Sequence, residues 1–292
     1  MFSSYLFFIK DEKYFTMLKK KLKSLALPYF IWTLLMLCGY VLIKIIMLKI
    51  KSSLLRHTSY LWPGTDILKW LKVFFYYDAS EGLRTPFVVQ FWYLRNLLAL
   101  FIISPVLKFF YKRFPKTSLI AVIFIYCSHL MDNFGIAIAL LFFTLGYYWA
   151  KGSYNLFKIA DSFYYAELII IFAAGFILKK FSPADSTACN SVIIFTSAMI
   201  WLKISDKIVK SPKAFDISRK LSGYSFFLYA VHMPLLTSAA LSVCDYLIPD
   251  TKFTILLIYP LIAVSVVISG TLIGIIVKKL CPPLFRVLSG GR

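Results

Sequence analysis

The chain has 292 residues, of which 60% are hydrophobic and only 16% are charged. So much apolar surface cannot be hidden in one soluble core, and the composition therefore predicts a protein that crosses a membrane several times. The formal net charge is +20, but most Lys and Arg residues stand in short segments between apolar runs. Membrane topology explains that distribution, so we expect a lipid bilayer as partner and no nucleic acid.

The chain begins with an apolar stretch, residues 1–9, that is far too short to cross a membrane. No basic segment precedes it, so we interpret it as the end of a helix whose beginning is missing, not as a signal peptide. Six lysines follow between Lys10 and Lys23. This basic segment leads into the first full predicted span, residues 24–48.

One long connection, residues 49–86, separates the first span from the second, residues 87–107. Within it, residues 66–77 place lysines and aromatic side chains at helical spacing. This pattern predicts an amphipathic helix that lies in the membrane interface. The six later apolar segments are residues 118–131, 134–150, 164–178, 191–202, 224–247 and 253–277.

The apolar segments predict an all-α fold, a polytopic transmembrane bundle of about eight membrane helices in one domain, residues 1–292. Residues 118–131 and 191–202 are short enough to be re-entrant instead. Lys and Arg residues of alternate connections fall mainly on the side that holds both termini, which predicts that both termini are cytoplasmic. The same charge bias results from six crossings and from eight, so charge does not choose between them.

Arg95 is a cation inside the second span, directly after an aromatic cluster. A guanidinium there costs at least ~2.5 kcal/mol on insertion scales, and it usually faces a partner, a cavity or a bound anion. If the span begins at residue 87, Arg95 lies about 12 Å from its outer end. The alternative is therefore a side chain that extends to the outer headgroups.

His232 is the second ionisable group that draws attention inside a span, and it lies about 12 Å from the predicted inner end. In a hydrocarbon layer about 30 Å thick, Arg95 and His232 then differ in depth by only about 6 Å, so we expect both to line one cavity. Pro234 agrees with this, because a proline frees carbonyls of the preceding turn. The alternative is a packing histidine that is hydrogen-bonded to the hydroxyl of Tyr229 or Ser225.

His129 and Asp132 form a rival site, because a carboxylate three residues from a histidine on a helix can orient it as a general base. The pair is equally explained as the polar tip of a tight hairpin. No GxSxG, HExxH, Walker-type or dinucleotide-binding glycine pattern occurs. The five cysteines have no CxxC or metal-ligand spacing, so we expect no metal site and no bound cofactor.

Three stretches carry a more specific signal when they are taken together and in order. Residues 3–32 run from a basic segment into a Leu-Pro-Tyr helix entrance, residues 90–107 hold a Trp-aromatic-Leu-Arg helix, and residues 224–236 form a Ser-aromatic-Tyr helix that ends in histidine. In this they resemble the acyltransferase 3 family of membrane acyltransferases, which includes bacterial O-acetyltransferases of surface polysaccharides.

The resemblance implies a multi-pass enzyme of the bacterial plasma membrane. Such an enzyme transfers an acyl group, usually acetyl, from cytoplasmic acyl-CoA to a hydroxyl of a surface or lipid-linked glycan. It implies that Arg95 and His232 are the catalytic residues. Arg95 would bind anionic groups of the donor or stabilise negative charge, and His232 would orient groups in the cavity. The substrate-binding residues it implies are Trp92, Tyr93, Tyr229 and Ser225.

Members of this family have more spanning helices than the eight expected here, and the first of them carries an Arg and a downstream His thought to be catalytic. No segment of this sequence corresponds to that helix, so we expect either a start assigned too late or a fragment. Two other functions stay open. One is a transporter or flippase for a lipid-linked glycan, because a polar cavity between helices also serves translocation. The other is an inactive fragment.

Overall fold

The computed structural model describes residues 1–10, 13–49, 67–78, 84–128, 135–181, 186–247 and 252–291. Within these ranges the chain is almost entirely helical. The α-helices are α1 Phe2–Ile9, α2 Tyr14–Lys21, α3 Leu27–Lys49, α4 Ile67–Phe75, α5 Trp92–Arg113, α6 Pro115–Cys127, α7 Ile136–Lys151, α8 Leu156–Asp161, α9 Tyr165–Phe181, α10 Ser186–Lys210, α11 Pro212–Ser222, α12 Ser225–Val231, α13 Thr237–Leu247, α14 Lys252–Leu280 and α15 Pro282–Leu288.

Three short turns of other helix types connect to these α-helices. A π-helical turn, Leu22–Ala26, joins α2 to α3, and a second one, His232–Leu236, joins α12 to α13. A 3₁₀ turn, Val89–Phe91, precedes α5. Turns of this kind inside longer helices change the direction of side chains and often accompany functional sites.

Three helical stretches of the described chain are long and apolar enough to cross a membrane: Tyr14–Leu42, Val89–Arg113 and Ile258–Leu280. The shorter apolar helices Pro115–Cys127 and Ile136–Lys151 overlap two further predicted segments. The expectation of a helical fold is therefore confirmed, and three of the described helical stretches are candidate membrane spans. The number of eight crossings and the cytoplasmic position of the termini stay predictions.

The predicted amphipathic helix at residues 66–77 is present in part. Helix α4 covers Ile67–Phe75, and residue 66 lies outside the described residues. Tyr77 belongs to strand β1 (Tyr77–Asp78), which pairs antiparallel with β2 (Arg84–Thr85), so the helix ends earlier than predicted. The location of α4 in the membrane interface stays a prediction.

The predicted single domain divides into two compact units of contacting residues. The first unit is Met1–Tyr14 with Ile103–Lys220, and the second is Phe15–Ile102 with Leu221–Arg292. In the first unit, α1 packs closely on α7, because a Cβ atom added at Gly146 would lie 1.9 Å from the Ser4 hydroxyl oxygen. Helices α8, α9 and α10 meet in a small core of Ala160, Leu168 and Met199.

The second unit contains all residues of the predicted site around Arg95 and His232. Its centre is the buried Phe227, whose ring lies 5.4 Å from that of Trp32 and 5.6 Å from that of Phe285. The Trp32 indole nitrogen donates to the Leu288 carbonyl at 3.0 Å. These contacts tie α3, α12 and α15 together, and α14 packs on α12 through Gly274, whose added Cβ would lie 3.1 Å from Tyr224.

Candidate active site

The site begins with a break in the helix that carries His232. Met233 has φ −121° and ψ 147°, an extended conformation inside an otherwise helical run. Pro234 explains it, because the proline ring disfavours the helical conformation in the residue before it. Proline also has no N–H group, so the carbonyl of Ala230, four residues earlier, loses its normal helical donor.

Gln90 replaces that donor from the 3₁₀ turn before α5. Its side-chain nitrogen donates to the Ala230 carbonyl at 3.1 Å and to the Met233 carbonyl at 2.6 Å. The Thr237 hydroxyl donates to the His232 carbonyl at 2.7 Å. The carbonyls around the break are thus satisfied by side chains. The side-chain oxygen of Gln90 is itself buried and has no hydrogen-bond partner among the described residues.

A further hydrogen bond sets the orientation of the His232 ring. The Nδ1 atom of His232 lies 2.7 Å from the backbone carbonyl oxygen of Tyr229. A carbonyl only accepts, so in the neutral ring Nδ1 carries the proton and Nε2 carries the lone pair. The Tyr229 hydroxyl donates in turn to the Gln90 carbonyl. His232 therefore presents one basic nitrogen in a defined orientation, as a general base requires.

His232 lines a cavity of about 510 Å³ between the broken helix and α14. The broken helix contributes the apolar Leu228 and four polar residues, Ser225, Tyr229, His232 and Thr237. The opposite wall is mostly apolar and comes from α14, with Tyr259 as its polar contribution. A mainly apolar cavity with a few polar groups on one side is the usual form of a small-molecule site.

Arg95 does not line this cavity, and its contacts point to a different local role. Its terminal nitrogen donates to the carbonyl of Phe75, the last residue of α4, at 2.7 Å, and its Nε donates to the Asn96 side-chain oxygen at 3.0 Å. The Tyr29 hydroxyl donates to the neighbouring carbonyl of Phe74. The C-terminal end of α4 is therefore one partner of Arg95, because helix carbonyls there lack intrahelical donors and the dipole favours a cation.

The turn before α5, which carries Arg95, nevertheless contacts both α3 and α12, the helix that leads to His232. The Phe91 ring is 5.4 Å from that of Tyr29 and 5.8 Å from that of Tyr229. Those two tyrosines each lie about 8 Å along the chain from the predicted cytoplasmic starts of their spans. On that assignment Phe91 lies in the inner half of the layer, whereas the Phe87 ring is 5.9 Å from that of Tyr40, about 24 Å along the first span, and so lies toward the outer side. Residues 87–91 are not α-helical, so the depth of about 12 Å expected for Arg95 from helical rise is too small.

The remaining predicted site residues separate into two groups. Ser225 lines the cavity with Tyr229, and its hydroxyl donates to the Ser222 carbonyl at 2.8 Å. Trp92 and Tyr93 contact each other, with ring centroids 6.1 Å apart, but neither is among the described residues that line the cavity. His129 and Asp132, the rival pair, lie outside the described residues.

Gln90, Thr237 and Tyr259 were not predicted as site residues. Gln90 is a neutral side chain near a helix end, which is not anomalous in sequence, and its two acceptors lie 140 and 143 residues away. The available signal was indirect: a proline inside a span leaves a carbonyl that some donor must satisfy. Within the described residues no group of three or more His, Cys, Asp or Glu side chains is placed to hold a metal ion.

Comparison with known proteins gives a family over nearly the whole length. The acyltransferase 3 model, described as an acyltransferase domain, matches residues 1–278. The chain is also similar to the succinoglycan biosynthesis protein ExoH of Rhizobium meliloti (strain 1021), with 26% identity over 314 residues that cover 99% of this chain and 77% of that protein. No solved structure matches the chain. The chain belongs to the acyltransferase 3 family.

Proposed function

We propose that this chain transfers an acyl group, most simply acetyl, from acyl-CoA to a sugar hydroxyl of a surface or lipid-linked glycan. The observation that carries the proposal is His232, a histidine of defined tautomer at a cavity, in a member of an acyltransferase family. The acceptor class rests on the relative, whose name places that protein in the biosynthesis of succinoglycan.

The proposed reaction is attack of the acceptor oxygen on the thioester carbonyl carbon. Nε2 of His232 takes the hydroxyl proton as the new C–O bond forms, and the C–S bond then breaks to release the coenzyme A thiolate. The imidazolium returns its proton to that thiolate, so the histidine ends the cycle neutral. The hydrogen bond from Nδ1 to the Tyr229 carbonyl supports this role, because it stabilises the ring when it becomes charged.

An oxyanion forms in this reaction and needs a donor. The Ser225, Tyr229 and Thr237 hydroxyls each donate to a backbone carbonyl. Tyr259 contributes the remaining hydroxyl of the lining and is our candidate for this role. Arg95 acts in this proposal through α4, as a positioning residue, and its binding of donor anions remains a separate prediction.

The membrane and the orientation that we propose for the chain rest on the family and on the distribution of Lys and Arg residues. We place the enzyme in the bacterial plasma membrane, with both termini and the acyl-CoA donor on the cytoplasmic side. The start of α5 and His232 then lie in the inner half of the layer, where a cytoplasmic donor can reach them. Eight crossings complete this topology.

The test uses acetyl-CoA that carries one isotope on the acetyl group and another on the nucleotide. Membranes from cells that express the chain should place only the acetyl label in the glycan fraction, and His232→Ala should abolish this incorporation. Ile276→Ala is a suitable control, because this side chain is 54% exposed on α14 and does not line the cavity. A transporter and an inactive fragment would both leave the glycan without acetyl label, and this result would contradict acyl transfer.

A further inference from the structure

A second cavity, of about 460 Å³, lies in the second unit where the first helical stretch meets the C-terminal tail. Lys20 at the end of α2, Lys23 and Ser24 in the π turn, and Arg286 in α15 all line it, together with the backbone of Gly290. We call it the basic cavity. Of the described residues that line it, three are cationic and none is acidic.

The local structure explains why these cations come together. In the π turn, the Leu27 amide donates to the carbonyl of Leu22, five residues earlier, and the helix widens there. The turn contributes Lys23 and Ser24 to the lining. Gly290 has φ +73°, and a Cβ atom added there would lie 2.3 Å from the Ser24 carbonyl oxygen. Only glycine allows the tail to pack this closely on the turn, and this packing brings Arg286 to the lysines.

Membrane topology alone predicts basic residues at this end of the chain, but it does not predict that they share a cavity. Lys279 illustrates the difference: it is exposed at the end of α14, close in sequence to Arg286, and it does not line the basic cavity. Like charges that converge around one space repel each other, and an anion that binds between them relieves the repulsion. The lining therefore suits an anionic ligand better than a cationic or a neutral one.

We propose that the basic cavity binds the phosphate groups of a ligand. The guanidinium of Arg286 matches two phosphate oxygens at once, and lysine ammonium groups bind phosphate as point charges. A volume of about 460 Å³ is in the range of small-molecule sites and exceeds the need of a single phosphate. Two sources share this chemistry: a nucleotide-bearing donor such as coenzyme A, and the headgroup of an anionic lipid.

The position favours the donor as the first source to test, and in this choice the inference rests on the proposed function. Tyr224, just before α12, has its ring 5.4 Å from that of Phe285, the neighbour of Arg286 in α15. His232 lies eight residues further along the broken helix, about 12 Å away. Coenzyme A separates its phosphates from its thioester by a long, flexible arm, so one molecule can reach from the basic cavity toward His232.

The test is equilibrium binding of labelled coenzyme A to the purified full chain, with no acceptor present. Lys20→Gln, Lys23→Gln and Arg286→Gln should each weaken binding about 10- to 100-fold, as expected for loss of one charge-assisted hydrogen bond. Lys279→Gln is the matched control and should bind normally. Dephospho-coenzyme A should bind the unmodified chain more weakly than coenzyme A.

A second arm measures retention of phosphatidylglycerol against phosphatidylcholine by native mass spectrometry of the same variants. Loss of phosphatidylglycerol in the three cavity variants, with coenzyme A binding unchanged, supports the phosphate site and assigns it to a lipid headgroup. If neither coenzyme A nor phosphatidylglycerol distinguishes the cavity variants from Lys279→Gln, the proposal is wrong. Because binding is measured without turnover, absence of acyl transfer would contradict the proposed function and leave this result intact.

Discussion

At the scale of single residues, the second unit is held by side chains that replace missing backbone donors. Gln90 serves the carbonyls around the Pro234 break, and Arg95 serves the carbonyl that ends α4. An unpaired carbonyl in an apolar interior is costly, so each of these side chains has a structural effect beyond its charge or polarity. The effect of each side chain on the free energy of unfolding can therefore be measured separately.

Replacement of Gln90 by Leu should lower the free energy of unfolding by about 1–3 kcal/mol, because two carbonyls lose their donor. The second change Pro234→Ala restores an N–H group that can reach the Ala230 carbonyl. We therefore expect the double variant to lose less stability than the sum of the two single variants. Thermal unfolding of the three proteins in detergent measures this coupling, and strict additivity would contradict it.

Replacement of Arg95 by Lys separates its two possible roles. A lysine ammonium cannot reproduce the fixed fork that serves Phe75 and Asn96, so the midpoint of thermal unfolding should fall, with a cost of about 1 kcal/mol. If Arg95 acts only through α4, the KM for acetyl-CoA should stay unchanged. A raised KM with unchanged thermal stability would instead support the prediction that Arg95 binds donor anions.

At this scale, ionisable residues in apolar runs were predictable from the sequence as site residues, and neutral polar residues were not. Arg95 and His232 are ionisable groups in apolar runs, where the cost of burial makes them conspicuous. Arg95 is not among the described residues that line the cavity at His232, and its contacts include Phe75 and Asn96, so a cavity shared by the two residues stays a prediction. Gln90 becomes visible only when its distant acceptors are known.

At the scale of elements, helix type was predictable and helix ends were not. Apolar runs of spanning length gave α3, α5 and α14, since length and composition suffice for that. The 3₁₀ turn before α5, the π turn before α3 and the π turn between α12 and α13 depend on local hydrogen bonds, which hydropathy does not reveal. The depth of Arg95 was therefore underestimated, because α5 begins at Trp92 and not at residue 87.

The packing of α1 on α7 gives a prediction for the first unit. Gly146→Ala should lower the free energy of unfolding by about 1–3 kcal/mol, because the new Cβ atom overlaps Ser4 and the Met1 carbonyl. Gly39→Ala in α3 is the control, since a Cβ atom there has no neighbour within 4 Å. Thermal unfolding of both variants in detergent checks this, and equal effects would contradict close packing at Gly146.

At the scale of the whole molecule, composition and charge predicted a helical membrane protein with both termini cytoplasmic. The described chain is almost entirely helical and has three candidate membrane spans, and the side of the termini stays a prediction. The division into two compact units was not predicted, because the first unit joins Met1–Tyr14 to a distant segment, Ile103–Lys220. Contacts of such long sequence separation leave no periodic signal.

The side of the membrane can be measured at Cys281, an exposed free cysteine between α14 and α15. In a variant with the other four cysteines replaced by Ser, a membrane-impermeant maleimide should label Cys281 in inside-out vesicles and not in intact cells. Ser52→Cys, in the predicted outer connection, should show the opposite pattern in the chain that also lacks Cys281. Labelling of Cys281 in intact cells would contradict a cytoplasmic C-terminus.

The central claim is that Nε2 of His232 acts as the base of acyl transfer, and the variant His232→Asn tests it most directly. The Asn amide can still donate to the Tyr229 carbonyl but has no basic nitrogen, so the helix break should keep its stability. We expect thermal unfolding to match that of the unmodified chain and the rate of acetyl transfer to glycan to fall by about 10²- to 10⁴-fold. A transfer rate equal to that of the unmodified chain would contradict the account.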